Sequence, residues 1–336
     1  MLLNRNTAAT EDLRTQTFLH RLSDYWIFGV LVLLILVFSI INPVFMSITN
    51  WINTSTFMTD TLLLALGQTV VILTAGIDLS VGAAMGLSSM VFALILEYGM
   101  NNGLSQWVSI PLGIVGGMAT GLTIGLVNGL LITRWNITPF IATLGMLGVC
   151  TGLTFIISNG TSVTTLPEDI GVIGNHIFLG FISFSVLVAG LGVVWIYMLL
   201  GKTRFGRYTY AIGSNVESAR RAGINVSAHL TKVYMLSGFL ASLAGIIIVM
   251  RFVNGSPLTG SHTELNAIAA VVIGGTSLFG GRGSISGTVV GAAIISVLLT
   301  GLVLGHVQPY WQIVAIGAII ILAVYIDQFR NRHKKS

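Results

Sequence analysis

Charge is what this sequence has least of: of its 336 residues only 8% are Asp, Glu, Lys or Arg, against about 25% in soluble domains. So few charges could not solvate the surface of a soluble fold, which excludes a free globular enzyme or binding protein. Cysteine is scarcer still. The single Cys150 excludes an intrachain disulfide and a cysteine metal cluster, and within its apolar segment it reads as a packing residue. The six histidines, His20, His176, His229, His262, His306 and His333, keep no metal-ligand spacing. No nucleophile–base arrangement stands out, so a membrane enzyme would lack its catalytic cluster. Gly201-Lys202-Thr203 ends like a phosphate-binding loop, but the glycine needed five positions before Gly201 is Ile196. Gly281-Arg282-Gly283 followed by Gly287 has the wrong spacing for a dinucleotide fingerprint, and no strand precedes it. ATP hydrolysis and metal binding are therefore not expected in this chain.

What is present is apolar. Hydrophobic residues make up 54% of the chain and the mean hydropathy is +0.90, so a bilayer is its natural solvent. Runs such as Trp26 to Ile41 argue for helices and against the alternating strands of a membrane barrel. Residues 1–24 are polar and no small-residue cleavage pattern follows the first apolar run, so that run is expected to be a retained helix. Ten hydrophobic segments follow one another, near 26–42, 54–75, 81–97, 108–133, 139–158, 177–200, 232–252, 264–279, 285–305 and 309–326. The expectation is an all-α polytopic membrane protein with about ten transmembrane helices in a single domain, 1–336. Segments 81–97 and 264–279 fall short of the ~20 residues that cross a bilayer, so they are expected to be tilted, broken or re-entrant.

The basic residues test this count. With the N-terminus in the cytoplasm and ten crossings, 15 of the 16 Lys and Arg fall on the cytoplasmic side, as the positive-inside rule requires. They lie in the tail 1–25, the loop 201–231 with Lys232 at its edge, the tail 327–336 and two short turns, and only Arg251 falls outside. Both termini are thus expected in the cytoplasm of a multi-pass protein of the cytoplasmic membrane. The net charge of +5 reports topology, so nucleic acid is not an expected partner, whereas membrane lipid is.

Glycine is abundant, with 40 residues. Gly113, Gly117, Gly121, Gly125 and Gly129 hold a spacing of four, which draws a smooth stripe on one helix for close packing with another. Gly148 with Gly152, and Gly287 with Gly291, repeat the spacing. Val70 to Ile72 and Val271 to Ile273 share Val-Val-Ile before a glycine-rich turn, a candidate internal repeat. Between the second and third segments lies a break, Gly76-Ile-Asp78-Leu-Ser80-Val-Gly82. A carboxylate at membrane depth is a functional hypothesis by default. Asp78 reads either as a group that caps the next helix and holds the break, with Ser80 as second cap, or as a solute contact. Asp60 is weighed the same way, or lies at the external interface. Arg251 and Glu264 fall near the external face and are expected to pair with each other or to meet a delivery protein.

The loop 201–231 encodes a short helix over 215–222, about 12 Å long. Ser214 and Glu217 have capping-box spacing, Arg220 and Arg221 suit the negative end of the helix dipole, and Gly223 is placed to end it. It reads as a docking peg for a cytoplasmic partner or as a solvated surface helix.

From Gly206 this loop runs Gly-Arg-Tyr-Thr-Tyr-Ala-Ile-Gly-Ser-Asn-Val-Glu-Ser-Ala-Arg-Arg-Ala-Gly-Ile-Asn-Val, which closely resembles the permease subunits of ribose-type ABC sugar importers. Three further blocks agree and keep the family's order: Val70 to Ala83 with Ala-Gly-Ile-Asp-Leu-Ser at its centre, Thr138-Pro-Phe-Ile-Ala-Thr-Leu-Gly145, and Glu264 to Gly283. The resemblance covers about residues 25–327. Two departures, Asn266 for a usual aspartate and Ala75 for a common glycine, bear on substrate and not on family. The resemblance implies a dimer with a second copy or a similar permease, a cytoplasmic ATP-binding subunit that holds ATP and Mg, and a periplasmic sugar-binding protein. It makes 215–222 the coupling helix, with Asn215, Glu217, Ala219, Arg220, Arg221, Gly223 and Ile224 as contacts to the ATPase. Sugar transfer needs weak, exchangeable hydrogen bonds, so the candidate pathway residues are Asn128, Thr138, Phe140, Thr143, Asn266 and Thr276. The alternatives are an importer for another small solute such as branched-chain amino acids, which would need ionic groups in the path, and an ion-coupled transporter built on Asp60 and Asp78.

Overall fold

The computed structural model describes residues 27–332. The tails on which Arg5, Arg14, Arg21, Lys334 and Lys335 lie fall outside the described residues. In hydrocarbon every backbone group must find its partner inside the chain, and a helix achieves this alone. The chain accordingly folds as helices: α1 (Ile27–Ile41), then α2 (Ile48–Leu73), α3 (Val81–Asn101), α4 (Gln106–Thr133), α5 (Pro139–Ile157), α6 (Glu168–Gly174), α7 (Phe184–Lys202), α8 (Arg204–Ser214), α9 (Val216–Arg221), α10 (Val226–Phe252), α11 (Thr263–Ile273), α12 (Ile285–Leu304) and α13 (Pro309–Arg332). Among the described residues seven helices, α2, α3, α4, α5, α7, α10 and α12, are long and apolar enough to cross a membrane. The other three expected segments are shorter apolar helices, 27–41, 263–273 and 309–322.

α2 and α10 form the centre. Of their apolar stretches 78% is buried, against 28% for α5 and α7, which turn apolar faces outward. The glycine stripe of α4 makes this layering possible. Gly113 lies on Phe92 and Leu96 of α3, and Gly117 on Ser88 and Ile246. Gly121, Gly125 and Gly129 then meet α10 backbone to backbone; a Cβ on Gly125 would come 2.6 Å from Met235 Cα, and one on Gly129 2.7 Å from Thr231 Cα. A spacing of four drifts around a helix of 3.6 residues per turn, so one stripe serves two neighbours.

Several boundaries differ from the sequence reading. α7 begins at Phe184, not 177, because a small hairpin precedes it, Ile177–Phe178 pairing with Ile182–Ser183. α2 and α10 each start six residues early, at Ile48 and Val226, where Ser47 and Asn225 side chains accept from Asn50 N (3.2 Å) and Ala228 N (3.0 Å). α3 is not short: it runs unbroken for 21 residues. The 264–279 segment is broken as expected, since α11 has only 11 residues, about 16 Å of helix.

The path into α11 is re-entrant. After α10 the chain turns back and descends along α3. Gly255 exchanges backbone hydrogen bonds with Val163 (2.8 and 2.9 Å) and abuts Ala93, Thr259 O abuts Gly86, and Gly260 abuts Gly82. α11 therefore starts inside the bundle. The Val-Val-Ile repeat is structural, but its register is one residue off the sequence match. α2 ends with Ala75 N on Ile72 O (2.9 Å) and Gly76 N on Val71 O (3.2 Å); α11 ends with Gly275 N on Val272 O (3.0 Å) and Thr276 N on Val271 O (3.2 Å). Ala75 (φ 61°) and Gly275 (φ 85°) occupy the same left-handed position, where alanine costs about 1 kcal/mol.

Candidate functional site

Three features carry functional weight. The first is α9. Asn215, with extended backbone, is its cap and accepts Ser218 N at 2.8 Å. The expected Ser214–Glu217 box does not form, because Ser214 is the last residue of α8 and its hydroxyl donates to Tyr210 O (2.9 Å). α9 is thus six residues long, about 9 Å, shorter than the predicted 215–222. Gly223 (φ 81°) ends it in the left-handed conformation, with Gly223 N on Arg220 O (3.0 Å) and Ile224 N on Ala219 O (3.1 Å). The inner face is fixed: Ala219 is buried with Ile212 and Val226, and Ile224 packs on them. The outer face presents Val216, Glu217, Arg220 and Arg221. Glu217 pairs with Arg220 at 3.2 Å and Arg221 at 4.0 Å, all well exposed, so these pairs contribute little to stability and remain available to a partner.

Sequence reasoning missed α8. Its signal was legible: Thr203 accepts Phe205 N at 3.1 Å as a cap, and Gly206, Thr209 and Ile212 form a buried face. α8 ends on both helix breaks at once. Gly281 N donates to Leu73 O at 2.9 Å, and Gly213 lies against both of these atoms. A Cβ on Gly280 would lie 2.8 Å from Ala75 N and 2.9 Å from Gly213 O. Tyr210 OH donates to Gly283 O at 3.0 Å. Only Asn215 separates Ser214 from the start of α9. α8 therefore joins α9, backbone to backbone, to the end of α2 and to the loop that follows α11.

The second feature is the break that holds Asp78, which is 2% exposed. One carboxylate oxygen accepts Ser80 N (3.0 Å) and Ser80 Oγ (2.6 Å), and the other accepts Ser237 Oγ (3.0 Å). Asn128 donates to Ser80 Oγ at 2.8 Å. The Gln68 amide, oriented to satisfy both groups, pairs with Asp78 N and O at 3.2 Å each. Side chains of α2, α4 and α10 thus converge on one loop. Neither Asp78 nor Ser80 caps α3 through its side chain, as had been expected: Asp78 closes a turn on Ser80 N instead. Gly76 packs beneath Tyr234 OH, and Gly82 leaves room for the Glu264 carboxylate.

Of the candidate pathway residues, Asn128, Thr143 and Thr276 are buried. Thr143 Oγ1 bonds to Pro139 O (2.8 Å) and Ile77 O (3.2 Å) and so ties α5 to the break. Thr138 precedes α5 as its N-cap residue, Phe140 is 53% exposed on its outer face, and Asn266 is half-buried on α11. The expected pairing of Arg251 with Glu264 does not occur. Arg251 pairs with Asp60 at 2.8 Å, both nearly buried, donates to Thr56 O at 3.1 Å, and sits 4.9 and 4.8 Å from the Phe57 and Phe252 rings. It had the nearer acid on α2, because α10 ends beside the first half of that helix.

The third feature is a cleft of about 200 Å³ between α3, α5 and the re-entrant chain. Its lining includes Thr151, Thr154, Thr259, Ser261, His262 and Glu264. Among the described residues no group of His, Cys, Asp and Glu is placed to hold a metal ion.

A family model described as "Branched-chain amino acid transport system / permease component" matches residues 47–324. The chain belongs to this permease family. It is 43% identical over 303 residues to the ribose import permease protein RbsC of Bacillus subtilis, covering 90% of this chain and 91% of that one. It is 38% identical to RbsC of Escherichia coli K12, over 88% and 91% of the two chains. The galactose/methyl galactoside import permease MglC of the same organism is 34% identical over 96% and 99%. No solved structure matches. The chain is a multi-pass membrane permease subunit and not an enzyme; ATP hydrolysis belongs to a separate subunit.

Proposed function

We propose that this permease carries a neutral monosaccharide of the ribose type across the cytoplasmic membrane. The observation that carries the reading is the set of relatives. The family description names branched-chain amino acids, yet permeases at 34–43% identity over most of the chain are named for ribose and galactosides. The cleft agrees. Its hydroxyl-bearing lining suits a polyol, and Glu264 in the first turn of α11 already occupies the helix end that would attract an amino acid's carboxylate.

In this reading two permease copies, or this chain and a similar one, flank the path. A periplasmic binding protein delivers the sugar, and the partner ATPase holds ATP and Mg. Both termini and α9 face the cytoplasm, as the basic residues favour. The outer face of α9, with Glu217, Arg220 and Arg221, docks in the ATPase. ATP-driven closure moves α9, the Gly213 junction passes the movement to α2 and α11, and the bundle shifts between outward and inward access. The permease only biases that equilibrium. Asp60 and Asp78 serve as structure, the one paired with Arg251 and the other held by hydroxyls and amides, which leaves the ion-coupled alternative without a free acid at either place.

The test is co-purification and uptake. Tagged permease is expressed with its ATPase and binding protein, and again with Glu217→Lys and Arg221→Glu together. The expected result is ATPase bound at about one per permease in wild type, lost in the variant, with ATP-dependent uptake of labelled D-ribose by wild type only. Leucine uptake without monosaccharide uptake would establish the amino-acid reading. Uptake without ATP would sink both.

A further inference from the structure

We infer that the cleft between α3, α5 and the re-entrant chain is a sugar-holding subsite in which Glu264 accepts hydrogen bonds from a pair of ring hydroxyls. This rests on the monosaccharide reading above and names the place within it.

Four observations converge. The volume, about 200 Å³, lies below the ~300–1,000 Å³ of pockets for drug-sized ligands and corresponds to about seven water volumes, a space for a single small solute. The polar groups face it from separate elements: Thr151 and Thr154 from α5, Thr259, Ser261 and His262 from the re-entrant chain, Glu264 from α11. Thr154 donates its proton to Cys150 O at 2.8 Å, which leaves its oxygen as an acceptor toward the cleft. The walls between them are small or apolar, Ala83, Gly86, Leu147, Pro257 and Gly260, as a sugar's C–H face requires.

Glu264 gives the cleft its chemistry. No Lys or Arg pairs with it among the described residues, since Arg251 is held by Asp60. Its carboxylate lies over Gly82, where any side chain would displace it. Its neighbours are its own backbone N–H and His262, which leaves this half-buried carboxylate acceptor capacity for hydrogen bonds from two adjacent hydroxyls. Such charge-assisted bonds are roughly twice as strong as neutral ones. His262, just before α11, holds a left-handed backbone (φ 64°), so the turn that presents the cleft is strained where a solute would sit. Gly260, which lines the cleft, rests on Gly82 of α3 three residues before α11 begins.

The complete importer, with ATPase and binding protein, is reconstituted in proteoliposomes. Glu264→Gln keeps size and shape and should lower D-ribose uptake about tenfold or more, the size of one charge-assisted hydrogen bond, with permease, ATPase and binding protein still eluting as one assembly. Thr151→Cys in a Cys150→Ala background is then alkylated with a small thiol reagent. D-ribose during turnover should slow that alkylation several-fold, and should not slow it at a Trp107→Cys control outside the cleft. Wild-type uptake by Glu264→Gln, or alkylation at Thr151→Cys that ignores ribose, would overturn the subsite while wild-type ribose uptake leaves the sugar reading standing. A wild-type importer that accumulates leucine and no monosaccharide would overturn both.

Discussion

Replacing Gly213 with alanine puts a methyl group where three stretches of backbone meet. Its Cβ would overlap the Leu73 carbonyl oxygen and lie 2.6 Å from Gly281 N, and those two atoms share a 2.9 Å hydrogen bond. Carbon and oxygen settle no closer than about 3.3 Å, so the junction must open by more than an ångström. The lost hydrogen bond costs about 1 kcal/mol and the forced shift about 1–3 kcal/mol, together about 2–4 kcal/mol. A penalty of 2 kcal/mol on one of two access states moves their ratio about thirtyfold. The α4–α10 packing lies elsewhere and is untouched, and so is the outer face of α9. Gly213→Ala should therefore reach the membrane, bind the ATPase and hydrolyse ATP, yet import about tenfold less sugar per ATP. Ser214→Ala, which removes only a hydroxyl bonded to Tyr210 O, should keep the wild-type ratio. The assay is paired measurement of uptake and phosphate release in the same vesicles. A Gly213→Ala importer with the wild-type ratio would refute the junction as the lever.

Other outcomes follow from the same geometry. Arg251→Met leaves Asp60 buried and unpaired and should cost about 3–5 kcal/mol, whereas Arg251→Met with Asp60→Leu should recover most of it; half-lives of the detergent-solubilised permease at raised temperature read both. Gly125→Leu should abolish the monodisperse peak in size-exclusion chromatography, because its Cβ meets backbone atoms of Tyr234 and Met235, while Gly145→Ala, with nothing within 4 Å, should elute as wild type. Asn215→Ala should weaken α9 by about 1 kcal/mol and Gly223→Ala by a similar amount through its φ of 81°; each lowers ATPase co-purification at reduced ATPase concentration.

The membrane class, the glycine stripe and the end of α9 at Gly223 were legible because each follows from a local rule: apolar length, a spacing of four, a left-handed stop. The same rules misplaced what tertiary contacts decide. Ser214 and Glu217 have capping-box spacing, yet Ser214 belongs to the preceding helix and Asn215 turns outward to cap. Arg251 and Glu264 are neighbours by topology, but α10 ends beside Asp60. Val-Val-Ile marked a repeat and misjudged its register, since the turn is set by backbone hydrogen bonds and not by the residues that precede it. The cleft was invisible in advance: Thr151 and Thr154 lie over a hundred positions from Glu264, and only the re-entrant path beside α3 brings them together.

That path also bears on how the two breaks differ. The two breaks share one backbone turn but differ in what holds them. The first is clamped by side chains of three helices: Gln68 on the Asp78 backbone, Ser237 on its carboxylate, Asn128 through Ser80. Polar partners on several sides specify one arrangement of this loop. The second, residues 274–283, is held by turn bonds, Ser277 N to Arg282 O and Gly280 N to Ser277 O, by Gly281 N on Leu73 O, by Tyr210 OH on Gly283 O, and by glycine contacts with α12 at Gly287. Smooth glycine contacts allow sliding where interlocked side chains do not. Gly213 thus stands between the break after α2, clamped by side chains of three helices, and the one after α11, joined to its neighbours mainly through backbone. α11 is the shorter of the two, with 11 residues against 26, and its far end carries Glu264. α11 thus joins the two places: the break after it lies against the Gly213 junction, and its first turn carries the Glu264 of the cleft.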